Sequence, residues 1–372
     1  SECLVGSEMC IRDSSWTERA FIGLMETSDP ASNIWEDKGF VVCSASDKGK
    51  TDYGRSSIND WEGYFKINAI DPTYIITENG EHWLIYGSWH SGIAALQVNP
   101  EDGKPLNALG NPWDITGEDN SGYGKIIATR GTSRWQASEG PEVIYRDGYY
   151  YLFLAYGSLS VEYNTRVCRS KNIDGPYVDI HGNSAMGSAQ LYPILTAPYR
   201  FDNSYGWVGI SHCGIFDDGA GNWFYTSQGR FPVNVGGNEY SNAIMMGHVR
   251  SIRWDANGWP LVMPERYGAV PQAPITENEI AGDWEHLALT TSTGTQRTSE
   301  TMTYDLGTHK ITSGSWKNAT WTFDAATQTI TTSAGVVLYL QREVDWEASP
   351  RTHTIVYAAQ GNQKTYWGKK LQ

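Results

Sequence analysis

Long apolar runs are missing: no stretch of the 372 residues approaches the roughly 20 apolar positions that a membrane-crossing helix needs. An excess of positive charge is missing too. Lys and Arg number 28 against 42 Asp and Glu, a net charge of −14, which argues against nucleic acid or an anionic membrane as the main partner. Cysteines are few and scattered (Cys3, Cys10, Cys43, Cys168, Cys213); their spacing fits neither a metal site nor a dense disulfide framework, and it leaves the compartment open. No signal-peptide pattern opens the chain. Helical periodicity does not persist beyond about a dozen residues, which excludes a helix bundle. Phenylalanine is scarce, 9 against 16 Trp and 22 Tyr.

What is present is a core-forming composition, 40% hydrophobic, written in alternating β-branched and aromatic segments broken by DG, NG and GN turns. The chain is expected to be all-β. Trp and Tyr join a flat apolar face to a polar edge, which suits sugar rings with their C–H patches and hydroxyl rims. The same residues also serve simply as good strand formers, and composition does not decide between the two roles.

Self-comparison shows a repeat. Units beginning at Asp71 (DPTYIITENGEHWLIYGSWHSGIAALQVN), Glu139 (EGPEVIYRDGYYYLFLAYGSLSVEYNTRVCRSKN) and His212 (HCGIFDDGAGNWFYTSQGR) start 68 and 73 residues apart. Each runs from a polar residue through a short strand, an Asx/Gly turn, an aromatic strand and a further strand. Units of this size read as propeller blades, with the first strand nearest the central channel. Asp71, Glu139 and His212 are thus expected to face one central site.

The ends differ from this pattern. SECLVGSEMCIRDS matches nothing that follows and resembles translated sequencing-adapter read-through at the end of an assembled environmental gene; a genuine short leader is the alternative. Residues 1–14 are read as a non-native leader. Residues 15–270 then form the propeller, with AFIGLMETSDPASNIWEDKGFVV matching only the late strands of a blade, so that the first blade is incomplete. A linker at 271–280 leads to a Thr-rich segment, 281–372, that reads as a small β-barrel.

Glycoside hydrolysis requires two carboxyl groups, one protonated toward the leaving oxygen and one acting on water or sugar, and a third can tune the acid by like-charge repulsion. Glu139 precedes Gly140–Pro141 and Asp71 precedes Pro72, rigid turns that would hold a carboxylate at a channel mouth. A carboxylate before proline is often only a turn device; two at matching blade positions favour chemistry. Glu142, inside the strand, is read as structural. His212 is either a satisfied structural histidine or a sparse contact to a hard cation, which prefers oxygen ligands.

At these residues the chain resembles glycoside hydrolase family 43, and within it the endo-α-1,5-L-arabinanases, through NAIDPT, WLIYGSWHSGI, EGPEVIYRDGYYYLFLAYG, YNTRVCRSKNIDGPYVD and HVRSIRWDANGWPLVMPERY. The tail, with AGDWEHL, REVDWE and YWGKK, resembles the lipocalin-like C-terminal domain of some members. The resemblance implies a five-bladed β-propeller and an inverting mechanism. It makes Glu139 the general acid, Asp71 the residue that tunes and orients it, and His212 a contact, through water, for a calcium (Ca2+) ion. Trp89, His90 and Ser91 fall in the substrate cleft, with Trp89 a stacking platform; for Asn164 and Arg166 substrate binding and strand packing are equally open. The family's general base, an aspartate on the first strand of the first blade, is absent: Asp13 lies in the leader, and Asp29 and Asp37 lie in the outer half-blade.

The expected parent protein is a secreted or cell-envelope hydrolase of plant cell-wall arabinan, a monomer whose signal peptide was lost with the N-terminus. The chain itself is expected to be weakly active or inactive. An exo-acting α-L-arabinofuranosidase or β-xylosidase, and a non-catalytic carbohydrate-binding propeller, are the alternatives. The C-terminal barrel is expected to be structural rather than polysaccharide-binding.

Overall fold

The computed structural model describes residues 2–8, 21–43, 68–89, 92–109, 122–130, 138–187, 190–201, 204–291 and 294–372. Two compact units emerge, Ser1–Tyr156 with Cys168–Leu191, and Gly157–Val167 with Tyr192–Gln372.

In the first unit, β1 (Glu2–Glu8), β2 (Phe21–Thr27) and β3 (Glu36–Cys43) form an antiparallel sheet of three strands. Its first strand falls within the segment read as a leader. A second sheet runs in chain order through β4 (Thr73–Ile76), β5 (His82–Tyr86), β6 (Ile93–Val98) and β7 (Lys125–Ala128). Next, β8 (Ser138–Arg146) and β9 (Tyr149–Tyr156) make a hairpin. Asp147 and Gly148 close it with φ of 49° and 80°, the doubly left-handed turn whose twist matches paired strands. Both cores of this unit come from strand alternation: Ile22, Leu24, Leu84 and Leu96 fill one, and Ile85, Ile93, Leu152 and Leu154 the other.

The strand β10 (Asn164–Ser170) carries residues of both units. Within the second unit its Thr165 and Arg166 pair with β11 (Ile194–Thr196). A short β12 (Tyr199–Arg200) follows, and then a four-stranded sheet in chain order, β13 (Gly214–Asp217), β14 (Trp223–Arg230), β15 (Met245–Trp254) and β16 (Pro260–Val262). A capping box on Thr276 and Glu279 starts the short helix α1 (Glu277–Ile280). Beyond it lie β17 (Gly282–Leu289), β18 (Arg297–Thr298), β19 (Glu300–Asp305), β20 (Lys310–Ile311), β21 (Trp321–Asp324), β22 (Thr329–Thr332), β23 (Val336–Asp345), β24 (Thr352–Gly361) and β25 (Lys364–Lys370). All but β18, which pairs with β12, join one eight-stranded sheet that curls into a nearly closed barrel. The expected all-β class, with sheets of the propeller kind followed by a small barrel, is what the structure shows.

The barrel is buried on two sides. Ile355, Tyr357 and Ala359 of β24 point into it beside Trp284 and Trp321, whereas Val356 and Ala358 point out. There they pack with Leu287, Leu289 and Trp367 against Ile194, Tyr199, Phe201, Leu261 and Met263. The Trp367 indole donates to the carbonyl of Val262 at 2.9 Å, and Gln360 to that of Pro260 at 2.7 Å. The barrel and the preceding sheet therefore share a core.

At one edge of this shared core sits Lys369, 1% exposed. Its ammonium lies 2.7 Å from Glu347, 2.9 Å from Asp345, 3.1 Å from Glu265 and 3.8 Å from Glu285, and 4.4 Å from the centre of the Phe201 ring. Burial pushes the Glu265 carboxyl well up, and the nearby Glu347 charge adds to this. Burial acts on Glu347 in the same direction, but its hydrogen bond with Glu265 and the Lys369 charge prevail and hold it low. A protonated Glu265 donating to an ionised Glu347 satisfies both directions. Replacing Lys369 by Met leaves the acids without their cation, and stability should fall by about 3–5 kcal/mol. Adding Asp345→Asn and Glu347→Gln should recover part of it. Urea unfolding of the single and triple variants checks this, and equal losses in the two would refute it.

Two histidines of this unit are buried neutral. Burial, helped by Arg250 and Arg266, lowers His248 to about 2, with the Trp207 ring edge-on at 4.3 Å. Burial alone lowers His286 to about 3, and its Nδ1 is 2.6 Å from the Tyr357 hydroxyl. The unfolded chain takes up protons on both below about pH 6.5 while the folded one does not. Stability is therefore complete above that pH and falls below it by about 1.4 kcal/mol per pH unit per histidine. Unfolding midpoints from pH 7.5 down to 4.5 should slope less in His286→Phe than in the parent.

Candidate active site

Asp71 stands two residues before β4, and Glu139 is the second residue of β8. The backbone of Asp71 is left-handed (φ 55°), as is that of His212 (φ 56°), which stands two residues before β13. In the unit between them the left-handed residue is Gly140, also φ 56°, so Glu139 sits one residue ahead of the strict repeat. Non-glycine residues adopt this conformation rarely and at a cost of about 1–3 kcal/mol, and such strain gathers at functional positions.

The offset has a cause. Opposite β9, Glu139 pairs with Ala155 and Glu142 with Phe153, so three steps along β8 match two along β9, a bulge at Gly140–Pro141. The bulge turns the Gly140 N–H away from the ladder, and it donates to Asp71 Oδ2 at 3.2 Å. Asp71 is thereby bonded to the residue adjoining Glu139.

The segment after β5 supplies the rest. Gly87 and Gly92 bracket it because a Cβ on Gly87 would run into the Gly92 carbonyl, and one on Gly92 into that of Ala128. Between them Trp89 is left-handed (φ 56°), and its N–H is bonded to the Ser138 carbonyl at 3.0 Å. This places two donors on one carboxylate oxygen: Trp89 Nε1 lies 2.9 Å and Ser88 Oγ 3.0 Å from Glu139 Oε2. A half-buried carboxyl gripped through one oxygen and linked by one residue to a second carboxylate is suited to delivering a proton in a fixed direction. Glu142 shares neither donor.

Asp71, Trp89 and Glu139 are thus brought together, and Ser88, overlooked on sequence, joins them. Its signal was there in the GSW triplet, where a small hydroxyl follows a glycine forced by close backbone approach. His90 and Ser91 lie outside the described residues, as does Asp13. Asn164 and Arg166 are buried, Arg166 to 1% exposure, with the Arg166 Nε donating to the Asn164 side chain. Burial and this bond accord with strand packing, one of the two readings open for them. Asp29 caps a 3-10 turn by accepting from Ala31 N at 3.1 Å, and Asp37 accepts from Gly39 N at 2.7 Å. Both are exposed, and Asp37 lies within β3.

His212 belongs to the second unit and is exposed. One imidazole can touch a hydrated ion but does not supply the oxygen-rich sphere of calcium. Among the described residues, Glu265, Asp345 and Glu347 form the one group of three close acidic donors, and the Lys369 ammonium already stands against all three.

Known proteins share this arrangement of sequence. The profile of the glycosyl hydrolases family 43 matches residues 25–260, and that of a C-terminal lipocalin-like domain matches residues 264–368. The extracellular endo-α-(1→5)-L-arabinanase 2 of Bacillus subtilis is 30% identical over 240 residues, covering 59% of this chain and 46% of the relative. The corresponding Thermotoga petrophila enzyme is 31% identical over 239 residues, with the same coverage of 59% and 46%. The chain spans about half the length of the curated relatives it matches. The crystal structure of endo-1,5-α-L-arabinanase from Thermotoga petrophila superposes with a TM-score of 0.74 at 24% identity, covering 96% of this chain and 80% of that one. A family 43 protein from Bacillus licheniformis gives the same TM-score of 0.74 at 24% identity, with 96% and 82% covered. These last two likenesses concern the fold.

The Asp71–Gly140 bond separates structural from chemical roles. Asp71→Asn keeps an oxygen acceptor and a residue at ease in the left-handed region, so stability should change by less than about 0.5 kcal/mol. Asp71→Ala loses both and should cost about 1–3 kcal/mol. Thermal unfolding with amide exchange at Gly140 checks the pair, and equal behaviour of the two variants would show that the bond is idle.

Proposed function

Because the chain belongs to the glycosyl hydrolases of family 43, we propose that its parent activity is hydrolysis of internal α-1,5-L-arabinofuranosyl linkages of arabinan by a single inverting displacement. The observation that carries this reading is the grip of Ser88 and Trp89 on one oxygen of Glu139, with Asp71 anchored beside it. Glu139 is the general acid that protonates the leaving oxygen. Asp71 orients it and opposes its ionisation. Trp89 borders the cleft, with His90 and Ser91 next to it in sequence.

Inversion needs a base across the sugar, about 6.5–9.5 Å from the acid, to take a proton from the attacking water. Asp29 caps a local turn and Asp37 accepts from Gly39 within β3, and in this reading the chain lacks the general base. The chain by itself is then a crippled hydrolase, slower by about 10²–10⁴-fold than a protein with a complete first blade. The names of the extracellular relatives support a secreted parent; that parent is proposed to act, as a monomer, on plant cell-wall arabinan. His212 is the proposed contact, through water, for a calcium ion, and chelation should then lower the melting temperature.

Reducing-sugar release from linear α-1,5-arabinan tests the reading. The chain should be nearly silent, a version with a restored first blade active, and Glu139→Gln in that version inactive again. Full activity of the chain that survives Glu139→Gln would overturn both the acid and the missing base. Products restricted to single arabinose units would indicate the exo-acting alternative, and binding without release the non-catalytic one.

A further inference from the structure

The first unit holds a concavity whose lining does not include Glu139. Its volume is about 470 Å³, within the range of small-ligand sites, and Glu81, Trp83, Gln97, Lys171, Asn172 and Asp174 contribute to its lining. These residues come from the turn before β5, from β5 and β6, and from the turn after β10. Trp83 lies at the start of β5, and Ser88 follows that strand's other end. At about 3.3 Å per residue, five residues of extended chain put the two sites about 16 Å apart.

The cleft is built rather than incidental. Glu81 accepts from Trp83 Nε1 at 3.3 Å with one oxygen and from Gln97 Nε2 at 3.4 Å with the other, fixing the indole and the amide together. Trp83 is half-buried, packed from behind against the core of Ile85, Val143 and Leu152, so its ring is a stiff wall. Asn172 and Lys171 are exposed on the facing turn.

This chemistry selects a ligand class. Asp174 is paired with Lys125 at 3.4 Å, and Glu81 offsets Lys171, so the cleft has no excess of positive charge to favour phosphates or other anions. Amides and carboxylates around a single indole disfavour a lipid or an aromatic drug-like molecule. A neutral polyhydroxylated ring fits: its C–H face lies on an indole while amide, carboxylate and ammonium groups bond its hydroxyls.

We propose that this cleft is a second, non-catalytic binding site for the polysaccharide, holding a short run of sugars from the same chain that enters the Glu139 site. The identity of the sugar, arabinofuranose, rests on the function proposed above. Binding at two places raises the effective concentration of the polymer at the catalytic carboxyls.

Native electrophoresis of the chain in gels containing linear arabinan, xylan, galactan or dextran tests it, in a Glu139→Gln background so that the polymer stays intact. Arabinan should retard the protein. Gln97→Ala and Asn172→Ala, both at accessible side chains, should each weaken retardation by about 2–10-fold, the value of a hydrogen bond. Trp83→Ala should weaken it further, and Trp89→Ala should leave a retarded species. Retardation that survives all three cleft substitutions but vanishes with Trp89→Ala overturns the proposal, as does the absence of retardation by any polymer. Retardation by xylan or galactan instead, with the same dependence on Gln97 and Trp83, upholds the site and overturns arabinan as its ligand.

Discussion

The second unit depends on one buried ammonium. Lys369 stands at the edge of the core that the barrel shares with β16, within reach of acids on both sides of it: Glu265 just past the last blade strand, and Glu285, Asp345 and Glu347 from the barrel. None of these groups would be stable alone at that depth. Together they settle into a neutral carboxyl, its ionised neighbour and a cation. Such a cluster adds little net stability but tolerates no partial removal. It thereby fixes which face of β25 meets the blade, and the alternation of Tyr366, Trp367 and Lys369 follows.

The candidate active site rests on a different constraint, backbone conformation. Asp71, Trp89 and His212 all hold φ near 55°, where side chains are seldom found, and Gly140 does so one residue from Glu139. Strand hydrogen bonding cannot continue through such residues. They release N–H groups and side chains from the ladder, and the site is made from what is released: the Gly140 amide on Asp71, and the Trp89 indole on Glu139.

Much of this was legible from residues alone. Period-two alternation and Asx-Gly turns gave the all-β class, and the repeats at Asp71, Glu139 and His212 located the first strand of each unit, because local turn chemistry and side-chain period are written in the chain. The one-residue offset at Glu139 was not, since a bulge appears only once two strands are paired. Ser88 was missed for a related reason: its bond to Glu139 spans 51 positions. Arg166 and Asn164 show the converse limit. A polar strand residue reads alike whether it faces a ligand or a buried partner, and the bond between these two buried side chains shows only once the strand is packed.

The double-sided strands of the barrel bear on descent. A domain joined by a tether can be traded between genes like a cassette, since each partner folds with its own interior. Here Val356, Ala358 and Trp367 complete the interior of the neighbouring sheet, and Leu261 and Met263 complete theirs. Recombination that separated the two would expose both surfaces at once. A cut near residue 270 would therefore divide one interior between two fragments, and polar changes along β16 would be needed before either could stand in water.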